Sequence, residues 1–273
     1  MKMTANDESE RFRTGAAKYA AYLETPEGQL RLELAFANLR DFLPLNIRSL
    51  QALDIGGGTG ANAVRLAQLG IHVTLLDSSA EMLNLAEHAA RASGLSRQIE
   101  LKDGDATQIP KLFAAKSFDL IICHNILEFV EDPDSVLRDA AFALRDRYSI
   151  ISILVRNQAG DVLKAALRDG DLAAAGQNLT AEWGVESLYG GSVRLFRREN
   201  LQGMLKEAKL ATIAEQGVRC IADYLPPQVS RSAEYDRILD LERKMGGRPE
   251  FAAIARYAQC IAHRLPAVSE DGA

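Results

Sequence analysis

Cysteine, tryptophan and net positive charge are all scarce in this chain. Three cysteines, Cys123, Cys220 and Cys260, stand far apart in 273 residues. An odd and scattered set excludes a disulfide framework, and no pair has metal-ligand spacing. Reduced thiols in a cytoplasmic setting are expected, with no metal. Cys123 ends an apolar run and reads as a small buried hydrophobe rather than a nucleophile. The net charge of −5 gives no general pull toward nucleic acid, so any such surface must be a local patch. No apolar run approaches the ~20 residues of a membrane span. The polar, acidic stretch Met1–Glu10 does not read as a secretory signal. Internal repeats are absent too. What remains is an apolar content of 47%, ordinary for a globular protein, in a length that suits one domain over 1–265 with a flexible tail over 266–273.

What is present in abundance is glycine at one place. Leu50-Gln-Ala-Leu-Asp54-Ile-Gly56-Gly57-Gly58-Thr-Gly60 runs from a short apolar strand through a carboxylate and a glycine-dense loop into the amphipathic segment Ala61–Leu69. Strand, tight turn and helix follow one another, and the helix aims its free N–H groups back at the loop. Glycines let the backbone approach a ligand closely and adopt φ values that other residues avoid. A dinucleotide would put its pyrophosphate there. Asp54 argues against that ligand, because a carboxylate ahead of the loop repels phosphate. It suits a ligand bearing ammonium and sulfonium charges, such as S-adenosylmethionine. Asp77 ends the next apolar run, His72–Asp77, where a carboxylate can accept hydrogen bonds from both ribose hydroxyls. Ser78-Ser-Ala-Glu81 reads as a separate capping box for the following helix.

The remaining chain alternates strand and helix. Thr25-Pro26 opens a helix with Leu32, Ala35, Phe36, Leu39 and Leu43 on one face, stopped by Pro44. Ser79–Ser93 is helical and closed by Gly94. Ile99–Lys102 is a third strand, followed by Asp103-Gly-Asp105-Ala106, where Asp105 can accept from an adenine amino group, nearby backbone N–H groups can meet the ring, and Asp103 reads as a turn residue. Phe118–Cys123 is a fourth strand, with His124 and Asn125 at its carboxyl end. Asp132-Pro133 begins a helix with Val136, Leu137, Ala140 and Leu144 inward, and Ser149–Val155 is a β-branched fifth strand. This alternation predicts an α/β fold with a doubly wound, Rossmann-like parallel sheet. Residues 158–198 break the rhythm as an insertion suited to a substrate lid. A helix over Glu199–Leu210, strands over Thr212–Tyr224 and Arg256–Arg264, and a helical connection over 225–250 complete seven strands.

With these residues in view, the chain resembles class I methyltransferases, and within them the bacterial family that methylates the carboxylate of 5-carboxymethoxyuridine in the tRNA anticodon. Gly28-Gln-Leu-Arg31, Leu53-Asp-Ile-Gly-Gly-Gly58 and His124-Asn-Ile-Leu-Glu128 carry the likeness, with Gly217-Val-Arg219…Asp223-Tyr224-Leu225 and Leu239-Asp-Leu-Glu242. The resemblance implies that Arg31, Gly57, Asp77, Asp105 or Ala106, and His124 face the methyl donor, beside Asp54, Gly56 and Gly58 of the loop. Arg31 would hold the donor's carboxylate. Three departures fall near the acceptor side: Arg145-Asp-Arg-Tyr148 replaces the usual Pro-Gly-Gly turn, Val155-Arg156-Asn157 lacks an aromatic before the Asn, and Ala222 stands where the family has His.

A carboxylate acceptor is already ionised at neutral pH and needs no general base. The sequence offers no strong base on the acceptor side, which fits. Such a site needs a cation, and Arg219, Arg156 and Arg194 are available, with Arg219 favoured as the catalytic residue. The tRNA anticodon loop would need basic and stacking groups, and Arg194-Leu-Phe196-Arg197-Arg198 near Trp183 and Tyr189 is such a mixture. The alternative reading is a carboxyl or O-methyltransferase acting on a small molecule.

Overall fold

The computed structural model describes residues 5–44, 50–186, 188 and 190–265. Tyr189 and the tail beyond Leu265, both singled out above, lie outside the described residues. Among the described residues nine strands form: β1 (Gln51–Ile55), β2 (His72–Asp77), β3 (Ile99–Asp103), β4 (Leu120–His124), β5 (Ile150–Arg156), β6 (Trp183–Val185), β7 (Ser192–Arg194), β8 (Leu210–Val218) and β9 (Tyr257–Arg264). Seven of them make one sheet in the order β3-β2-β1-β4-β5-β9-β8, and β6 pairs with β7 in a separate hairpin. The first five strands are parallel, whereas β9 runs antiparallel between β5 and β8.

Both faces of the sheet are covered, which is why its central strands are continuous apolar runs rather than alternating ones. Leu53, Ile55, Ile121, Ile151 and Ile153 pack into a core on one side. Ala52, Leu75, Leu120, Ile122 and Ile261 pack into another on the opposite side. The strand order reverses between β1 and β4, so their carboxyl ends open a crevice, the usual ligand position in such sheets.

Helices α1 (Ala5–Leu23) and α2 (Pro26–Arg40) precede the sheet. Thr25 caps α2 by accepting from Gly28 N at 3.1 Å. Gly28 is dictated by packing: a Cβ there would lie 2.1 Å from the Tyr22 carbonyl oxygen, so only glycine lets the two helices meet this closely. The buried face of α2 differs from the expected one. It carries Leu30, Arg31, Leu34, Ala35, Asn38 and Leu39, while Leu32 and Phe36 are only partly covered. Arg31 and Asn38 are polar residues turned inward, so an apolar stripe alone misplaces the face.

Helices α3 (Ala61–Gln68) and α4 (Ala80–Ala92) follow β1 and β2. The cap of α4 is Ser79, not Ser78: its side chain accepts from Met82 N at 3.3 Å. The β4 strand begins at Leu120 rather than Phe118, and the helix after β7 spans Arg198–Glu207. The larger correction concerns β8, expected to continue to Tyr224. It stops at Val218, because Arg219 takes a left-handed φ of 62° and turns the chain. The insertion holds helices Gln158–Leu163 and Leu172–Asn178, a π-helical turn over Lys164–Arg168, and the β6–β7 hairpin. Among the described residues, no helix is long and apolar enough to cross a membrane, and no cluster of His, Cys, Asp or Glu could hold a metal ion.

Candidate active site

The crevice at the carboxyl ends of β1, β2 and β4 opens into a cavity of about 390 Å³. Its floor is the glycine loop. After β1, the amides of Gly56 and Gly57 both bond to the Leu76 carbonyl, at 2.8 and 3.2 Å, folding the loop against β2. Gly57 must be glycine, since a Cβ would meet Leu75 Cγ at 2.4 Å. Gly58 N then donates to Asp77 Oδ2 at 2.8 Å, and Ser79 N donates to Oδ1 at 2.9 Å. Asp77 is therefore locked in place at the cavity wall with both oxygens oriented.

Asp54 differs. It is 2% exposed, and its Oδ2 has no hydrogen-bond partner. Burial, with Asp77 adding, pushes its carboxyl up to about 8. Asp54 and Gly57 line a smaller recess that shares Arg31, Gly56, Gly58 and His124 with its border. A buried carboxylate without a partner costs stability and calls for a cationic or donor ligand. Arg31 matches it on the other wall: it is 5% exposed, donates from Nη2 to Tyr19 Oη at 2.8 Å, and leaves Nε unpartnered. An anion acceptor and a cation donor thus face one recess, the pattern required by a ligand with an amino-acid head.

His124 is held neutral. Burial and then the Arg31 charge bring its imidazole down to about 3. Its Nε2 lies 2.8 Å from Ser152 Oγ, which accepts from Gln259 Nε2 at 3.0 Å, and Asn38 Nδ2 donates to Gln259 Oε1 at 2.9 Å. This buried chain ties the ring on β4 to β5, β9 and α2. Asp105 is exposed, and its carboxylate accepts from Thr107 N at 2.8 Å as the cap of a short 3₁₀ turn; Ala106 beside it is buried, and both line the cavity.

The opposite wall is an arginine–tyrosine cluster. Arg31, Arg219 and Arg256 stand 5.7, 5.8 and 6.0 Å from the Tyr257 ring centroid. Burial alone would raise the Tyr257 phenol, but the charges of Arg31, Arg219, Arg256 and Arg156 outweigh it and bring it below its usual value. Arg219 donates from Nη1 to Tyr22 Oη at 2.7 Å and pairs with Asp223, while Arg256 pairs with Asp161 at 2.5 Å. Arg156 bonds Glu186 at 2.9 Å.

All ten residues expected from the sequence border these two spaces: Arg31, Asp54, Gly56, Gly57, Gly58, Asp77, Asp105, Ala106, His124 and Arg219. Arg156 also lines the cavity, but Arg194 does not; its guanidinium lies 4.7 Å over the half-exposed Trp183 ring. Arg198 is paired with Glu215 at 2.6 Å. Tyr19, Tyr22, Arg256 and Tyr257 were not anticipated. Nor was a base: Glu128, buried on the cavity wall, accepts from Asn125 Nδ2 and Arg156 N at 2.9 Å each, and burial pushes it up to about 7.

A methyltransferase-domain profile matches residues 53–148, from the glycine loop to the start of β5. The fold is similar to that of an S-adenosylmethionine-dependent methyltransferase of Thermotoga maritima, with a TM-score of 0.62, 15% identity, and coverage of 94% of this chain and 99% of that one. The chain is an S-adenosylmethionine-dependent methyltransferase with the class I fold, and S-adenosylmethionine is its methyl donor. Within that class it is similar to the tRNA 5-carboxymethoxyuridine methyltransferase of Escherichia coli K12, 28% identical over 244 residues that span 88% of this chain and 90% of that protein. A ubiquinone biosynthesis O-methyltransferase of Actinobacillus pleuropneumoniae is 34% identical over 98 residues, 35% of this chain and 41% of that protein.

Proposed function

We propose that this enzyme esterifies the carboxylate of 5-carboxymethoxyuridine in the tRNA anticodon loop. One observation carries the reading: the similarity to the tRNA enzyme extends over 88% of the chain, whereas the match to the ubiquinone enzyme is confined to 35%. The chemistry of the wall agrees. An ionised acceptor needs cations to hold it, and Arg156, Arg219 and Arg256 line the cavity.

The donor, when bound, supplies a methyl group activated by sulfonium. The chain's own residues do the rest. Asp54 would accept from the donor's ammonium and Arg31 would donate to its carboxylate. Asp77 would receive the ribose hydroxyls, with Gly56, Gly57 and Gly58 giving the backbone clearance. Asp105 and Ala106 would border the adenine, and neutral His124 could donate or accept without adding charge beside the sulfonium. Arg219 would hold the acceptor carboxylate from the cavity wall, and fixing an acceptor in a productive orientation can supply several kcal/mol of a displacement barrier.

Glu128 supports a second reading, a hydroxyl acceptor on a small molecule, because burial pushes its carboxyl up to about 7, where it could take up a proton. Mass spectrometry of tRNA nucleosides from a strain lacking the gene decides. Accumulation of 5-carboxymethoxyuridine at the expense of its methyl ester supports the tRNA reading. An unchanged nucleoside profile overturns it.

A further inference from the structure

We propose that Glu242 is a positioning residue: its buried carboxylate fixes the turn that aims Arg219 at the acceptor. The inference rests on the acceptor-holding role given to Arg219 above.

Glu242 lies on the helix Tyr235–Gly246 and is wholly buried. Its Oε2 accepts from Cys220 N at 2.6 Å, and its Oε1 accepts from Ile221 N at 2.9 Å and Ala222 N at 2.7 Å. Three successive amides converge on one carboxylate. Such concave arrays of backbone N–H groups ordinarily bind a ligand anion. Here the anion is supplied by the protein itself. None of the ion pairs among the described residues includes Glu242, so the amides carry its neutralisation. Its charge, after burial, also helps push the Cys220 thiol up to about 12.

The clasped residues are the ones that follow Arg219. That arginine has a φ of 62°, a conformation that side-chain-bearing residues adopt only when the surroundings enforce it. The arc that begins there returns Asp223 to pair with Arg219. The helix is seated tightly enough to act as a reference: a Cβ on Gly246 would lie 2.4 Å from the Gly217 carbonyl oxygen. Ile238 of the same helix packs with Val218, Ala222 and Tyr257. The sequence pieces Gly217-Val-Arg219 and Leu239-Asp-Leu-Glu242 are therefore two halves of one device. The second grips the turn so that the first presents its guanidinium correctly. The donor loop at Gly56–Gly58 is built on β1 and β2 and makes no use of this grip.

The test is a double-mutant cycle on the full-length protein, with tRNA bearing unmethylated 5-carboxymethoxyuridine as acceptor. Glu242→Gln sets an N–H group against backbone N–H groups, so kcat/KM for the tRNA should fall about 10- to 100-fold. The Kd for S-adenosylmethionine should stay within about 3-fold. In an Arg219→Ala background the same change should add little, because the device serves that arginine. Additive losses, or a melting-temperature loss with kcat/KM intact, overturn the proposal and leave the acceptor role of Arg219 standing. If Arg219→Ala itself leaves turnover unchanged, both fall. Should Glu242→Gln not fold, Glu242→Asp keeps the charge one methylene short and enters the same cycle. Amide exchange in the wild type gives an independent check: Cys220, Ile221 and Ala222 should be protected together, and rapid exchange there overturns the proposal.

Discussion

Replacing Asp54 by asparagine should stabilise the donor-free protein while removing its hold on the donor. The Asp54 carboxyl is buried without a partner on Oδ2, and its titration is pushed up to about 8 by burial and by Asp77. In the unfolded chain the group ionises near pH 3.9. Between these values the folded state must keep a proton that the unfolded state has released. The stabilisation from a protonated Asp54 is full below pH 3.9 and is lost as pH rises toward 8, at about 1.4 kcal/mol per pH unit. Asparagine escapes this titration. From pH 5.5 to pH 7.5 the advantage of the variant should therefore grow by about 2–3 kcal/mol, or ~5–10 °C in melting temperature for a chain of this size. Melting curves at the two pH values, with and without S-adenosylmethionine, measure it. The donor should raise the melting point of the wild type and leave that of Asp54→Asn nearly unmoved. A variant that melts no higher at pH 7.5 would refute the claim that the carboxylate is held from water without compensation. A stabilised variant that still binds the donor would refute the ammonium contact.

Asp77→Ala should weaken donor binding by roughly 1–3 kcal/mol by calorimetry, and should also lower the melting point because Gly58 N and Ser79 N lose their acceptor. Gly57→Ala forces Leu75 or the loop to move, since the new Cβ would sit 2.4 Å from Leu75 Cγ; donor binding should be lost while circular dichroism stays unchanged. With a carboxylate acceptor, single-turnover rates should be flat from about pH 6 to 8, and Glu128→Gln should leave them so. A rate rising tenfold per unit below pH 7, abolished in that variant, would point to a hydroxyl acceptor and to Glu128, pushed up to about 7, as its base. If RNA stacks near the insertion, fluorescence of Trp183, the sole tryptophan, should be quenched by tRNA, and that response should weaken steeply with salt.

The donor half was legible because each part is local. The run from Leu50 to Gly60 and the acid at Asp77 declare strand, turn and ligand wall within a few residues. The acceptor half was not, because it is assembled from remote segments. Tyr19 and Tyr22 come from α1, Arg156 from β5, and Arg256 and Tyr257 from the start of β9. Only the antiparallel register, which sets Arg156 opposite Tyr257, brings the last two beside the first. Arg219 was recognised by its motif, yet its turn was misread as strand, since Val218, Cys220 and Ala222 keep an alternating apolar pattern through the bend. The inward face of α2 was misread for the opposite reason. Asn38 is buried because Gln259 bonds it, and nothing local to α2 announces that partner.

The position of β9 between β5 and β8 sets an order in time. During synthesis the donor floor, built from β1, β2 and β4, is available once β4 and β5 have emerged. At that stage β5, buried on every residue in the finished protein, has an open edge. Roughly a hundred residues lie between Arg156 and Tyr257, and at ribosomal rates of ~5–20 residues per second that edge waits about 5–20 s for its partner. A nascent chain stalled in this interval would have the glycine loop and Asp77 but would lack Arg256 and Tyr257, and also Gln259, which anchors His124 through Ser152 and holds Asn38 of α2. Commitment to the acceptor comes last, with the strand that also covers the apolar edge of β5.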